Sequence, residues 1–388
     1  MNTSTTLSPR PPQDRARLRQ DAGLIGLVGL GHMISHYSQL LLAPLFPWLK
    51  DALHASYAEL GFLMTIFFAV SCVVQFVSGF MVDRFGPRPI LFGGLALLGL
   101  AAFGFSVSTG YWMTAGFSVL AGLGNGVFHP VDYTLLNRKV SASRLGHAYS
   151  VHGITGSLGW ALAPAMLVPL TLAFSWRVAL ACAGALIFSV LVVLLFNRDR
   201  LALKVALPTP GAAQAAGGTM GFLRVPAIWM CFAFFFFYAM ALSVVQAFAP
   251  AAARSLHGIP VALVAMCLTA YMVASACGMV AGGFMVSDPN RCERIVGIGF
   301  GLAAVMALAL GYGGFANAAD VAVPGLFAAM GFATGIAGPS RDLLVKRSTP
   351  ENSTGRVYGV VYSGLDIGQA ISPLIFGTLM DQHQYRGV

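Results

Sequence analysis

The sequence predicts an all-α membrane protein made of two pseudo-symmetric six-helix bundles, and three observations lead to this prediction. Of the 388 residues, 57% are apolar and only 10% are charged, whereas a soluble domain uses about a quarter charged residues to cover its surface. Apolar runs long enough to cross a bilayer recur along the whole chain. Two stretches of the first half also recur in the second half.

The apolar runs give the number of helices. A helix needs about 20 residues to cross a hydrocarbon core about 30 Å thick. Eleven segments meet this length, near residues 22–49, 58–82, 89–109, 111–137, 145–171, 177–196, 225–250, 260–286, 293–315, 319–345 and 353–379. Membrane strands would instead need alternating polar residues throughout, so the sequence favours helices.

The loop charges predict the orientation. If the N-terminus is inside, nineteen lysines and arginines fall in cytoplasmic segments and four fall outside. This bias predicts a cytoplasmic N-terminus in a plasma membrane, and we expect the bacterial inner membrane. Because the net charge of +9 is spread over alternate loops, it does not indicate a nucleic-acid partner.

An internal duplication sets the predicted domains. The segment Gly79–Val82 recurs as Gly283–Val286, an offset of 204 residues. Seven further residues recur at an offset of 209, and the pairs are Gly126 and Gly335, Pro130 and Pro339, Arg138 and Arg347, Gly146 and Gly355, Tyr149 and Tyr358, Gly159 and Gly368, and Pro164 and Pro373. We expect an N-terminal tail over 1–21, bundles over 22–196 and 225–388, and a cytoplasmic linker rich in Ala, Gly and Pro over 197–224.

The second bundle is expected to show five helices. Arg386 stands where Arg177 opens the sixth span of the first half. The sequence therefore ends where a twelfth helix would begin.

The loop after the second span carries a family motif. It reads Gly79-Phe-Met-Val-Asp83-Arg84-Phe-Gly86-Pro-Arg88, and a degenerate copy in the second half keeps Asp288. This loop resembles the G-x-x-x-D-R-x-G-x-R motif of the major facilitator superfamily. The resemblance implies a transporter that works by alternating access, and it implies a gating role for Gly79, Asp83, Arg84, Gly86, Arg88 and Asp288.

Three further segments are similar to the fosmidomycin-resistance branch of that superfamily. They are His32 to Gln39, Leu45-Phe-Pro-Trp-Leu-Lys50 and Val127-Phe-His-Pro130. This likeness implies an exporter of drugs or metabolites. The fifth span has glycines at 153, 156 and 159 followed by Ala163-Pro164, so Ala163 stands where the family's antiporter motif has Gly.

The first span carries polar residues inside the membrane, where they are costly and mark candidate sites. His32 and His36 lie one turn apart on one face, followed by Gln39. Three interpretations remain open. The neutral imidazoles cap buried carbonyl groups, they contact substrate or handle protons near neutral pH, or they form a metal-binding pair that no Glu-bearing motif completes.

The fourth and fifth spans add His129, Asp132 and His152 at similar depth in the predicted cytoplasmic half. Asp132 either pairs with a nearby cation such as Arg138 or Lys139, or takes part in substrate or proton coupling.

Arg341 occupies the repeat position that corresponds to Asp132. Opposite charges at related positions suggest a cytoplasmic gate that closes by pairing across the axis between the bundles. Alternatively, Arg341 pairs with Asp366 or Glu351, or lies at the membrane interface beside Asp342.

Asp366 is the most specific candidate for proton coupling. It lies near the midplane of the eleventh span, where the duplicate position is the uncharged Ser157. Desolvation there favours the neutral acid, which suits a reversible proton carrier. Alternatively, Asp366 is hydrogen-bonded within the helix packing. Gln246 in the seventh span is a further candidate cavity residue.

Together these features predict a secondary active transporter that moves a small organic molecule, coupled to protons and favouring export. The sequence lacks a GxxxxGK[ST] phosphate-binding loop and a CxxC pair, so we expect no direct ATP use, no cofactor and no resident metal. The expected partners are the substrate, protons and the lipid bilayer, for a monomer. The alternatives are an uptake symporter, a transporter of divalent metals or metal chelates, an intramembrane enzyme, and a transporter-like sensor.

Overall fold

The computed structural model describes residues 12–141, 144–203, 226–285, 291–315, 318–347 and 354–388. Within those ranges the structure contains α-helices and short 3-10 turns but no strand, which confirms the predicted all-α class. The α-helices are α1 (Pro12–Gln39), α2 (Phe46–Leu53), α3 (Tyr57–Phe85), α4 (Pro87–Val107), α5 (Tyr111–Asn125), α6 (Phe128–Lys139), α7 (Leu145–Ala173), α8 (Trp176–Phe196), α9 (Pro226–Ala247), α10 (Ala249–His257), α11 (Val261–Met285), α12 (Cys292–Tyr312), α13 (Ala319–Arg347) and α14 (Thr354–Asp381).

Two predicted spans are interrupted at equivalent places in the two halves, so their prediction as continuous helices was wrong. In the predicted span 22–49, α1 ends at Gln39, a short 3-10 turn follows, and α2 begins at Phe46. In the predicted span 225–250, α9 ends at Ala247 and α10 begins at Ala249. A proline occupies the second position of both α2 and α10, where its missing N–H costs no helical hydrogen bond.

The predicted span 111–137 is also divided, into α5 and α6. Pro130 has no N–H to donate to the carbonyl oxygen of Gly126, which lies four residues earlier. The Ser78 hydroxyl donates to that oxygen instead, over 3.2 Å. The Ser78 side chain on α3 thus stabilises the break between α5 and α6.

Eight helices within the described residues are long and apolar enough to cross a membrane. They are α3, α4, α7, α8, α9, α11, α12 and α13. The remaining predicted spans fall on α1, on the divided pair α5 and α6, and on α14. Large apolar side chains face outward, with Trp112 79% exposed and Phe196 87% exposed, as lipid-facing helices require.

Helix packing repeats between the halves. Helix α1 packs on α7 as α9 packs on α14, and α3 packs on α5 as α11 packs on α13. Two interfaces join the bundles, α3 with α14 and α7 with α11. Because α3 corresponds to α11 and α14 corresponds to α7, each of these interfaces is the counterpart of the other. The arrangement therefore has approximate two-fold symmetry.

Glycine contacts show the duplication at atomic detail. A Cβ added at Gly126 would meet the carbonyl oxygen of Ser71 at 2.5 Å, and one added at Gly335 would meet that of Ser275 at 2.1 Å. Both members of each pair are related by the offsets of 209 and 204 residues that the sequence shows. The repeated glycines therefore let corresponding helices approach closely in both bundles.

Parts of the predicted organisation lie outside the described residues. They are residues 1–11 of the predicted tail, most of the predicted linker, and Asp288 of the predicted gating motif.

Candidate substrate and coupling site

Three helices of the first bundle bring a group of histidines around Asp132. Its Oδ2 atom lies 3.1 Å from Nδ1 of His32 on α1 and 3.1 Å from Nε2 of His152 on α7. The imidazole rings of His32 and His152 stack with their centroids 3.5 Å apart. The structure thus brings together His32, His36, His129, Asp132 and His152, which the sequence spread over three spans.

The glycines of α7 make room for the histidines of α1. A Cβ at Gly156 would lie 2.9 Å from the His36 ring, and a Cβ at Gly159 would lie 2.2 Å from the carbonyl oxygen of Met33. Because glycine has no side chain at these positions, α7 can approach α1 closely and still leave space for the imidazole rings. The Gly-rich run of the fifth span therefore shapes the candidate site as well as the packing.

A hydrogen-bonded chain leads from this cluster to the second bundle. His129 donates from Nδ1 to Oε1 of Gln75 over 2.9 Å. Gln75 Nε2 in turn donates to Oδ2 of Asp366 over 2.9 Å. Asp366 therefore lies at the interface of α3 and α14 with a partner from the opposite bundle, which the sequence did not indicate.

Gln39 belongs to a second network within the first bundle. Its side-chain oxygen accepts from the indole Nε1 of Trp160 over 2.9 Å. Asn125 accepts from the Ser35 hydroxyl over 2.8 Å and donates to the Ser71 hydroxyl over 2.9 Å. Three residues of these two networks were not predicted from the sequence, namely Asn125, Gln75 and Trp160, although an amide within an apolar run is the signal that marks the first two.

In the second bundle, Arg341 lies against aromatic rings. Its guanidinium carbon is 5.2 Å from the centre of the Phe235 ring and 5.1 Å from that of Tyr238, within the range of cation–π attraction. Since Asp132 has its imidazole partners inside the first bundle, its expected pairing with Arg341 stays a prediction for another arrangement of the bundles. Gln246 is 2% exposed, and its amide oxygen lies 3.5 Å from Nε2 of Gln369.

The turn between α3 and α4 carries the predicted gating motif. Gly86 connects the two helices at φ 82° and ψ 162°, a conformation that is essentially restricted to glycine. Arg84 is exposed, and its guanidinium carbon lies 5.3 Å from the centre of the Phe85 ring.

At the opposite end of the bundles, Asp381 joins α14 to the start of α3. Its two carboxylate oxygens accept hydrogen bonds from the backbone N–H groups of Tyr57 and Ala58, each over 2.9 Å. Lys50 Nζ lies 3.8 Å from the same carboxylate. This contact closes the α3–α14 interface at the predicted outer end, and the sequence analysis did not identify it.

The family model of the Major Facilitator Superfamily matches residues 28–387. The chain belongs to the Major Facilitator Superfamily. The fosmidomycin resistance protein of Escherichia coli is 28% identical over 156 residues, which are 38% of this chain and 36% of that protein. The membrane sensor protein UhpC of Salmonella typhimurium is 31% identical over 144 residues, 37% of this chain and 33% of that protein. The matches thus span about a third of each relative.

Solved structures agree on the fold. A D-xylose-proton symporter superposes with a TM-score of 0.73 at 16% identity, covering 92% of this chain and 89% of that one. At this identity the likeness shows the fold alone, and it confirms the predicted major facilitator architecture. Membership of this superfamily favours a multi-pass membrane transporter over an intramembrane enzyme.

Proposed function

We propose that this chain is a secondary active transporter that exports a small organic molecule in exchange for protons. The observation that supports proton coupling best is the hydrogen bond from Gln75 to Asp366 across the bundle interface. Alternating access moves one bundle against the other around a central site. A bond between side chains of opposite bundles therefore changes its length as access changes.

The chemistry of Asp366 suits this task. An ionised carboxylate inside a membrane is costly unless it is paired or reaches water. In the closed interface, Gln75 offers one hydrogen bond but no positive charge. Separation of α3 from α14 admits water to the carboxylate, so proton release follows opening and proton uptake favours closing. This linkage ties proton occupancy to the side from which the site is open.

The substrate site lies between the histidine cluster and Arg341 in this proposal. The first bundle offers His36, Gln39 and Trp160, and the second offers Arg341 between aromatic rings. A compact polar molecule with an aromatic or anionic part fits these groups. The direction of export is proposed from the E. coli relative, whose name is fosmidomycin resistance protein.

Flux in proteoliposomes tests the proposal. Purified protein is reconstituted, a pH gradient is imposed, and accumulation of radiolabelled fosmidomycin is measured beside compounds that shift the thermal unfolding of the protein. We expect uphill movement that collapses when a protonophore removes the gradient. Movement that ignores the pH gradient contradicts proton coupling.

A transporter-like sensor is the second candidate, because one relative is named as a membrane sensor protein. A sensor binds its ligand without carrying it. The same liposomes distinguish the two functions, since a sensor shows ligand-dependent thermal stabilisation with no flux at any gradient.

A further inference from the structure

We propose that His32, Asp132 and His152 form a binding site for a divalent transition-metal ion such as Zn²⁺ or Co²⁺. The metal site stands independently of proton-coupled transport. It rests on the geometry of three side chains from α1, α6 and α7, and on polar atoms that the protein leaves unsatisfied.

The donor atoms already converge. The ligand atoms offered by His32, Asp132 and His152 all lie within 4.8 Å of one another. Two imidazole nitrogens approach the same carboxylate oxygen at 3.1 Å. Ligands that bind zinc tetrahedrally at about 2.0–2.1 Å lie roughly 3.4 Å apart. Small side-chain rotations would therefore accommodate an ion between these atoms.

Hydrogen bonding alone leaves this site incomplete. Two neutral imidazoles can both donate to Oδ2 of Asp132, but its Oδ1 atom has no hydrogen-bond partner among the described residues. Asp132 is 0% exposed, and an unsatisfied buried carboxylate oxygen is costly. Neither imidazole is a permanent cation. A divalent ion would supply the missing charge and a partner for either oxygen.

His36 provides a further unsatisfied donor beside the three ligands. Its ring lies 4.3 Å from that of His32 between centroids. Both of its ring nitrogens are buried, and neither has a hydrogen-bond partner of acceptable geometry in the described part of the chain. Imidazole nitrogens together with one carboxylate form known zinc sites, and imidazole also suits nickel and copper.

This site differs from the metal pair that the sequence suggested. His32 and His36 at i and i+4 supply two nitrogens but no carboxylate. The break between α5 and α6 brings Asp132 to His32, and the close α1–α7 contact brings His152 to both. The site therefore depends on the tertiary structure.

Metal binding is tested on the full chain, purified with a tag that contains no histidine and treated with a chelator. One equivalent of Co²⁺ should give the visible ligand-field bands of a four- or five-coordinate ion, and Zn²⁺ should displace it. We expect Asp132→Asn and His152→Gln each to weaken binding at least about tenfold. His147→Gln is the matched control, because His147 lies exposed on the same helix as His152.

A second measurement avoids the risk that the variants fail to fold. X-ray absorption of the wild-type zinc complex should show imidazole scattering with nitrogen and oxygen neighbours at about 2.0–2.1 Å. The absence of stoichiometric binding to the wild type overturns the proposal. Affinity that stays unchanged in folded Asp132→Asn and His152→Gln also overturns it, as does absorption without imidazole scattering.

Discussion

Gln75 on α3 donates a hydrogen bond of 2.9 Å to Asp366 on α14, so the carboxylate near the middle of the second bundle is held by the first. Gln75 also accepts from His129. One amide therefore connects the histidine-rich half of the site to the acid of the other half. Any motion that separates α3 from α14 has to break this connection.

Asp366→Asn should abolish pH-driven accumulation and leave some downhill exchange. The amide mimics the neutral acid, so the bundles can close, but it cannot release a proton. Proteoliposomes with and without an imposed pH gradient measure both modes. Asp320→Asn is the control, because Asp320 is exposed at the start of α13. Uphill movement that persists in Asp366→Asn places the proton carrier at another residue.

Asp381→Ala should shift the population towards an opening at the predicted outer end. Asp381 ends α14, where a negative charge is unfavourable, but it caps the N-terminus of α3, where the helix dipole favours it. Loss of such a cap costs about 1 kcal/mol, which corresponds to roughly a fivefold change in the ratio of open to closed molecules.

The shift can be measured by pulsed electron paramagnetic resonance, which gives the distance between spin labels attached at Asp51→Cys and Arg254→Cys. These two positions lie on different bundles. The native cysteines are replaced first. Ser56→Ala is a matched control, because Ser56 caps the same helix from within the first bundle, accepting from the Glu59 N–H over 3.1 Å. Equal distance distributions for the two variants would contradict an interbundle latch.

Composition and duplication predicted the fold because both signals extend over whole helices. The bilayer requires about 20 apolar residues in each span, and the repeat relates helices of the two halves. The helix breaks at Pro44, Pro47 and Pro250 were not predicted, because a hydropathy pattern does not register that a proline interrupts a helix. By contrast, the loop motif singled out Gly86, and its positive φ shows why glycine stands at the turn between α3 and α4.

The site could be predicted only as a set of candidates. Burial cost singled out each ionisable residue separately, but partner choice depends on which helices touch. Thus Asp366 was predicted as a proton carrier or as an acid hydrogen-bonded within the helix packing, and only the structure identifies the amide of Gln75 as its partner. An amide within an apolar span marks Gln75 as a candidate, but the sequence does not show which residue it bonds.

Gly159→Ala and Gly368→Ala should each destabilise the protein by about 1–3 kcal/mol. Their added Cβ atoms would meet the backbone oxygens of Met33 at 2.2 Å and Phe236 at 2.4 Å. Only Gly159→Ala should also displace the histidines on α1. Gly153→Ala is the control, because a Cβ there meets nothing within 4 Å.

Thermal unfolding gives the stability of each variant, and histidine-selective labelling read by mass spectrometry reports the exposure of the α1 histidines. We expect faster labelling in Gly159→Ala than in Gly368→Ala at equal loss of stability. Equal labelling rates would show that α1 and α7 can separate without disturbing the imidazoles.

Gly86→Val and Asp83→Asn should slow transport while leaving ligand affinity within a few-fold. Valine cannot adopt the backbone angles of Gly86 without about 1–3 kcal/mol of strain, which alters the α3–α4 turn but lies away from the histidine cluster. Asp83→Asn changes only the charge of the motif. Gly93→Ala on α4 is the control, since its Cβ meets nothing within 4 Å. Equilibrium binding and initial flux rates are measured on the same preparations. A large loss of affinity in either variant would place the turn within the binding site and contradict a gating role.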